Sequence, residues 1–267
     1  GFVGNFKTSV RSEGKDYALE HGTIILASGG EEYKPTEYLY GKHEQVLTQM
    51  ELEQQLTDHS LKAEELKNVV MIQCVGSRNA DRPYCSRMCC SQAIKNALRV
   101  KEVNPEANIY IFYRDIRTYG FKEDFYREAR DKGIIFIRYD EDQEPQVRDK
   151  DGKLAMEVFD PLLMQNLVIE PDLLVLSVGI VPSAGREELA KMLKVPLNGD
   201  GFFLEAHVKL RPVEFSTDGV FLCGLAHSPK PISENISQAQ AAAAKAAIIL
   251  SKKLIASGGC VAGIDKE

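Results

Sequence analysis

The sequence has no excess of basic charge, no long apolar run and no glycine-rich nucleotide fingerprint, and each absence excludes something. Lys and Arg number 33 against 39 Asp and Glu, a formal net charge of -6. A nucleic-acid binder carries a basic stripe and a high isoelectric point, so nucleic acid is not an expected partner. No stretch of about 18 apolar residues is present, and no basic-then-apolar segment opens the chain. Direct membrane insertion is therefore not expected, and the chain reads as soluble and cytoplasmic. The pattern G-x-G-x-x-G is absent throughout. The first residue is Gly1, not Met, and it leads straight into strand-like sequence. Such a start reads as that of an internal fragment of something longer.

What is present describes a globular protein. Hydrophobic residues make up 44% and charged residues 27%, close to the soluble average, so a real core can be buried. The 267 residues, at about 150 per domain, suggest one to two domains. The six cysteines are unevenly spent: Cys74, Cys85, Cys89 and Cys90 lie close together, while Cys223 and Cys260 stand alone. In a chain without an export signal thiols stay reduced. Four clustered thiols then read as a metal site before they read as disulfides.

Along the chain, residues 2–10 and 15–19 have strand composition, and the apolar run from Gly22 to Gly30 suits a strand buried on both faces. Residues 45–66 read as a helix plus connector. From Asn68 the pattern becomes β-α-β. Strands are expected at Val69–Ile72, Asn108–Tyr113 and Ile134–Arg138, with helices at Ser86–Val103 and Phe121–Lys132. Asn104-Pro105 stops the first helix and Gly133 caps the second. Alternating strands and helices imply a parallel sheet. Asp151-Gly152 predicts a hairpin between residues 146–148 and 154–158. Further buried strands are expected at Asp172–Gly179 and Gly219–Gly224. A final helix, rich in alanine, is expected from about Ser233 to Ala256.

The strongest chemical signal is Cys74-x10-Cys85-x3-Cys89-Cys90. Four thiols are what a cubane iron–sulfur cluster takes for its four iron corners. Cys74 ends a predicted strand, and the others fall where the next helix begins, so thiolates there gain from the helix dipole and free N–H groups. Arg78, Arg82 and Arg87 interleave the cysteines and can offset their negative charge. Structural zinc is the main rival, but it favours paired C-x2–4-C units, which adjacent Cys89-Cys90 fits poorly. Buried or redox-active thiols are the third reading. In a nucleotide-binding βαβ unit the turn after the first strand carries the glycine fingerprint. Here that turn reads Cys74-Val-Gly-Ser-Arg78, with Gly76 its one glycine. Nicotinamide binding there is not expected.

Three segments match the flavin half of two-domain flavoproteins. Thr23–Gly29 resembles their T-x-x-x-A-T-G strand, placing Ala27, Ser28 and Gly29 near a flavin. Asp172–Pro182 resembles the strand and G-x-x-P turn between the domains, which nominates Gly179. Thr217–Leu225 resembles the late flavin motif that ends in Gly-Asp, with Gly224 retained and Leu225 where the Asp would hold the ribityl chain.

Together these residues resemble the A-subunit family of the heterodisulfide reductases. The signatures are Cys74–Arg78, Tyr84–Cys90 with Ala93–Lys95, Tyr113–Gly120, Phe221–Lys230 and Gln238–Lys245. The family pattern often has Gly-Cys where this chain has Gly224-Leu225, and Cys223 precedes them instead. The resemblance implies an α/β, two-domain pyridine-nucleotide-disulfide-reductase-like flavoprotein fold, with an inserted βαβ domain and the N-terminal Rossmann unit missing. It divides the chain into a first piece of an FAD-binding domain (1–45), an inserted nucleotide-domain-like domain carrying the cysteines (46–180), and a second FAD-domain piece (181–267). Residues 261–267 resemble the lead-in to a ferredoxin-type module.

The implied function is that of an oxidoreductase component passing electrons between FAD and a 4Fe-4S cluster held by Cys74, Cys85, Cys89 and Cys90. Partners would be other heterodisulfide-reductase-like or electron-transfer subunits. FAD is expected in the longer protein and weakly or not at all in this fragment. Lys95, five residues after Cys90, could shield the cluster, reach a flavin or sit in solvent. Lys230 and Ser233 precede or open the helix that would aim its N-terminus at the flavin ring. The histidines show no ligand spacing. Two other classes stay open: an NAD(P)H-dependent disulfide reductase, and a zinc-stabilised scaffold module.

Overall fold

The computed structural model describes residues 1–255. The chain divides into two units, one formed by residues 1–29, 182–228 and 232 onward, the other by residues 30–181 with 229–231. In chain order, the first unit opens with β1 (Phe6–Ser12), β2 (Lys15–His21) and β3 (Ile24–Leu26). The second unit contains β4 (Gly30–Glu32), β5 (Val46–Thr48), α1 (Gln49–Thr57), β6 (Asn68–Val75), α2 (Cys89–Val103), β7 (Asn108–Tyr113) and α3 (Glu123–Asp131). It continues with β8 (Ile135–Arg138), β9 (Gln146–Lys150), β10 (Lys153–Asp160), β11 (Gln165–Ile169), β12 (Leu173–Val178) and β13 (Ile180–Pro182). The chain then returns to the first unit with α4 (Arg186–Leu193), β14 (Val220–Leu222) and α5 (Ile232–Leu250).

The second unit is built on a five-stranded sheet in the order β5-β12-β6-β7-β8, with every pairing parallel. Its central strands are apolar at nearly every position because both faces are covered. One face packs Val69, Met71, Ile109, Ile111, Leu173 and Val175 under α1, α2 and α3. The other packs Val70, Ile72, Phe112, Leu174 and Leu176 under Leu154, Met156 and Val158 of the antiparallel meander β11-β10-β9. Thr48 and Glu51 cap α1 reciprocally, the Thr48 hydroxyl accepting from the Glu51 N–H and the Glu51 carboxylate from the Thr48 N–H.

A buried polar chain crosses this core and fixes β6 against α2, the two elements that carry the cysteines. The Gln73 side-chain amide donates to Ser177 Oγ at 2.8 Å, and Gln49 donates to the same oxygen at 3.1 Å. Asn96 on α2 donates to the Gln49 carbonyl at 2.9 Å and to its side-chain oxygen at 2.8 Å.

The first unit contains the β1–β2 hairpin and a parallel pair of β3 with β14. Its core gathers Leu26, Phe203, Phe215, Val220 and Leu222. Phe221, Cys223, Ala242 and Ala246 pack together beside α5. Cys223 is thus a small buried strand residue.

Several expectations change on contact with the structure. The boundary expected after residue 45 falls after residue 29, because Tyr33, Tyr38, Leu39 and Tyr40 pack on the second unit's sheet. The boundary expected after residue 180 falls after 181. The single strand expected at 22–30 is two short ones, β3 and β4. The helix expected from Ser86 starts at Cys89, since the Ser86 hydroxyl accepts from the Ile180 N–H at 2.8 Å and Arg87 has φ +62°, outside the helical region. Strands β5 and β11 and helix α4 have no counterpart among the expected elements. Cys260 and the ferredoxin-like lead-in at 261–267 lie outside the described residues.

Replacing Asn96 with Ala strands the Gln49 oxygens in the core. The expected loss is about 1–3 kcal/mol in unfolding free energy, read by urea titration. A loss below about 0.5 kcal/mol would show that the Gln49–Asn96 contact does not hold α2 to the sheet.

Candidate functional site

The four clustered cysteines meet in the second unit, at the carboxyl end of β6 and the amino end of α2. In open α/β sheets this edge is where ligands bind. Cys74 leaves the strand with φ +65°, and Arg78 and Arg87 are also left-handed, at +58° and +62°. Each such residue costs about 1–2 kcal/mol, and clustered strain of this kind marks functional loops. The intervening loop is held down at several points. Tyr84 donates to the Ile180 carbonyl at 3.0 Å, and the Arg78 N–H to the Tyr84 carbonyl at 3.1 Å. The Arg87 N–H points at Cys85 Sγ, 3.3 Å away.

Cys89 and Cys90 are buried, and Cys74 and Cys85 partly so. Burial pushes the Cys74 thiol up, pushes Cys89 well up, and pushes Cys90 up to about 11. The neighbouring sulfurs add to this: Cys74, Cys85 and Cys90 all raise Cys89, and Cys74 and Cys85 raise Cys90. Arg78 opposes the shift at Cys74. All four sulfurs therefore share one local field. Yet among the described residues no group of three or more His, Cys, Asp or Glu closes on a single metal-ion position. The two observations are compatible, because a lone zinc needs every sulfur about 2.3 Å from one point, whereas a group with four metal corners takes a wider set.

The donor set fits an anionic metal–sulfur group in a second way. The amino end of α2 has Met88 at its cap position and no side chain capping it. Its first N–H groups and the positive end of its dipole are available to thiolate or sulfide.

The turn after β6 also explains what replaced the nucleotide cradle. Gly76 has φ +67°, and a Cβ built there would lie 2.0 Å from Tyr33 Cδ1. The Tyr33 ring thus lies directly on the glycine. The Arg82 guanidinium sits 4.3 Å from the centre of that ring, and its Nε donates to the Gly76 carbonyl. The space that a pyrophosphate needs for close backbone approach is filled by an aromatic ring and a cation. Gly179, nominated for the flavin, packs here instead: a Cβ on it would meet Ser77 Cβ at 3.0 Å and the Gly76 carbonyl at 3.2 Å.

Lys95 does not turn to the cysteines. It pairs with Glu53 on α1 and lines an elongated cavity of about 690 Å³ over the helical face, with Leu56, Ile94 and Phe125 among its walls. Position 95 follows Cys90 by about one and a half turns, which carries it round to that face.

In the first unit, Ala27 and Ser28 are exposed beyond β3, and Gly29 is left-handed at φ +78°. The Ser183 hydroxyl donates to Ser28 Oγ at 3.3 Å. Gly224 is left-handed too, at φ +77°, and its N–H donates to Gln238 Oε1 at 3.0 Å. Gln238 Nε2 lies 2.7 Å from His227 Nδ1, and His227 Nε2 lies 2.8 Å from Glu205. This Glu205–His227–Gln238 relay, which braces the Gly224-Leu225 turn, leaves no signal in residue spacing, because its members are far apart in the chain. Ser233 is exposed as the second residue of α5. Lys230 is buried, 5% exposed, and belongs with the second unit.

Comparison with known proteins gives a consistent result. No family model matches the chain. It is 40% identical over 256 residues to the A-subunit of the H(2):CoB-CoM heterodisulfide,ferredoxin reductase of Methanothermobacter marburgensis, covering 90% of this chain and 38% of that one. It is 40% identical over 253 residues to the iron-sulfur A-subunit of the CoB--CoM heterodisulfide reductase of Methanocaldococcus jannaschii, covering 88% and 38%. The chain therefore spans little more than a third of the length of these relatives. Among solved structures it resembles thioredoxin reductase from Lactococcus lactis, at TM-score 0.58 and 17% identity, covering 92% of this chain and 71% of that one. It also resembles the flavoprotein disulfide reductase RclA from Escherichia coli, at TM-score 0.57 and 11% identity, covering 94% and 48%. The fold is that of the pyridine nucleotide-disulfide reductases. No helix among the described residues is long and apolar enough to cross a membrane.

Two outcomes follow from the site's geometry. Gly76→Ala adds a Cβ inside the Tyr33 ring at a positive φ and is expected to destabilise the protein by at least about 2 kcal/mol; a neutral substitution would mean that Tyr33 does not occupy that space. Because the thiols are raised, metal uptake must displace protons, so apparent metal affinity rises with pH across the neutral range. Competition against a chelator at pH 6.5, 7.5 and 8.5 reads this, and a pH-independent affinity would contradict it.

Proposed function

The chain belongs to the A-subunit family of the heterodisulfide reductases over the segment it spans, and on that premise we propose that it is the flavin and iron–sulfur core of an electron-transfer component. In this reading Cys74, Cys85, Cys89 and Cys90 hold one 4Fe-4S cluster. The first unit supplies part of an FAD site through Ala27, Ser28, Gly29, Gly224, Leu225 and Ser233, with Lys230 nearby in sequence. The observation that carries the proposal is the gathering of four sulfurs at an uncapped helix terminus, in a turn whose nucleotide cradle is filled by Tyr33.

When bound, such a cluster supplies a one-electron store, and the flavin couples it to two-electron chemistry. The protein's part is placement. The strand-end turn presents Cys74, the loop clamped by Tyr84 and Ser86 presents Cys85, and α2 presents Cys89 and Cys90. The N–H of Arg87 and the first N–H groups of α2 favour negative sulfur. Burial of Cys89 and Cys90 keeps water from the site.

The names of the relatives supply the wider setting. They are subunits of reductases acting on the CoB-CoM heterodisulfide, in one case with ferredoxin. By this analogy the longer protein works as an oxidoreductase within a complex of electron-transfer subunits. The filled Gly76 turn disfavours the NAD(P)H-dependent alternative, and the spread of the sulfurs disfavours a zinc scaffold.

Anaerobically purified protein, reconstituted with iron and sulfide, is expected to be brown and to hold about four irons per chain, all lost in Cys89→Ala. Stoichiometric zinc without iron uptake would overturn the proposal. The 267-residue chain alone is expected to bind FAD weakly or not at all, since Leu225 lacks the carboxylate for the ribityl chain. A tight yellow complex would contradict that part.

A further inference from the structure

A line of polar contacts joins the strand-end cysteine to a helix cysteine. Arg78 Nη1 donates to Cys74 Sγ at 3.8 Å, and Arg78 Nη2 donates to Asp115 Oδ2 at 2.7 Å. The backbone carbonyl of the same Asp115 accepts from Cys90 Sγ at 3.7 Å. The other two arginines among the cysteines are turned to different tasks: Arg82 to the Gly76 carbonyl and the Tyr33 ring, Arg87 Nη2 to the Tyr119 hydroxyl.

The guanidinium of Arg78 is placed by its backbone as well as by Asp115. Its carbonyl accepts from Arg114 Nη1 at 2.9 Å, and its left-handed φ directs the side chain back over the turn. The two charges differ in exposure: the Arg78 side chain is 17% exposed and that of Asp115 51%. Asp115 is also shared, since Arg117 Nη2 lies 3.7 Å from the same oxygen. The cation is sheltered beside sulfur while its counter-ion is half in water.

We propose that Arg78 and Asp115 form an opposed pair that sets the reduction potential of the group held by the four cysteines. The inference rests on the cluster reading above and goes beyond it. Reduction adds one electron, and with it one negative charge, at the site. A sheltered cation in contact with a sulfur favours that state, and a carboxylate disfavours it, less strongly because water screens it. The pair also answers a difficulty at Cys90. Once Cys90 gives up its proton to become a ligand, the Asp115 carbonyl faces a negative sulfur. Arg78, bound to the same residue, offsets that repulsion. A planar fork can serve sulfur and carboxylate together, which an ammonium does less well.

The test is potentiometric titration of the full-length protein in its complex, followed by electron paramagnetic resonance, with iron per chain measured alongside. Arg78→Gln is expected to lower the midpoint by about tenfold in the reduced-to-oxidised ratio, about 59 mV for a one-electron couple. Asp115→Asn is expected to raise it, and Arg78→Lys to lower it less than Arg78→Gln. A purely structural role would not move the two neutralising variants in opposite directions. Shifts of the same sign, or none, overturn the inference. If Arg78→Gln fails to keep its iron, Arg78→Lys and Asp115→Asn decide by the same signs. Wild-type protein without iron would defeat the cluster reading itself, whereas an intact cluster indifferent to both charges would defeat this inference alone.

Discussion

The contact between the Tyr33 ring and the Cα of Gly76 is the constraint on which the second unit's chemistry depends. A nucleotide-binding turn keeps its glycines so that a pyrophosphate can come close to the backbone. Here the glycine admits an aromatic ring from the chain itself. With the cradle filled, the carboxyl edge of the sheet has a different occupant to hold. Arg82 seals the arrangement by stacking on Tyr33 and bonding the Gly76 carbonyl. The loop thus closed carries Cys85 and delivers the chain to Cys89 and Cys90.

The same edge shows how one fold changes its ligand without changing its core. The parallel sheet, its helical layer and its meander are those of the disulfide reductases in outline. The buried chain Gln73–Ser177–Gln49–Asn96 holds β6 and α2 in register, so a strand-end cysteine and a helix-start cysteine meet reliably. What the fold otherwise offers to phosphate, free N–H groups at a helix terminus, serves thiolate equally well. The cost appears as left-handed residues at Cys74, Arg78 and Arg87 and as thiols driven up by burial and by one another. Both are strains that a bound cationic metal group relieves, since it replaces the protons and neutralises the repulsion.

Much of this is legible in the sequence, and the limits have physical causes. Strands β6, β7 and β12 are long apolar runs covered on both faces, so their composition announces them. The cysteine spacing points to the right turn. Short elements are harder. Three-residue β5 owes its existence to pairing with β12, and β11 to pairing with β10, contacts that no local pattern encodes. Tyr33 looks like a loop residue, although it is the group that fills the turn. Ser86 looks like a helix cap, but its hydroxyl is taken by the Ile180 N–H, far away in the chain. Lys95 lies in the expected helix but on the face away from the cysteines. The Glu205–His227–Gln238 relay joins residues whose proximity only the folded first unit reveals.

The central claim is that the four cysteines hold an iron–sulfur group at the place a nucleotide would otherwise take. A crystal of the anaerobically prepared longer protein, measured on both sides of the iron absorption edge, tests it most directly. The account predicts one iron-specific peak touching the sulfurs of Cys74, Cys85, Cys89 and Cys90, with Tyr33 still lying on Gly76. Density for a dinucleotide phosphate over Gly76, or a zinc-specific peak among the sulfurs, would contradict it.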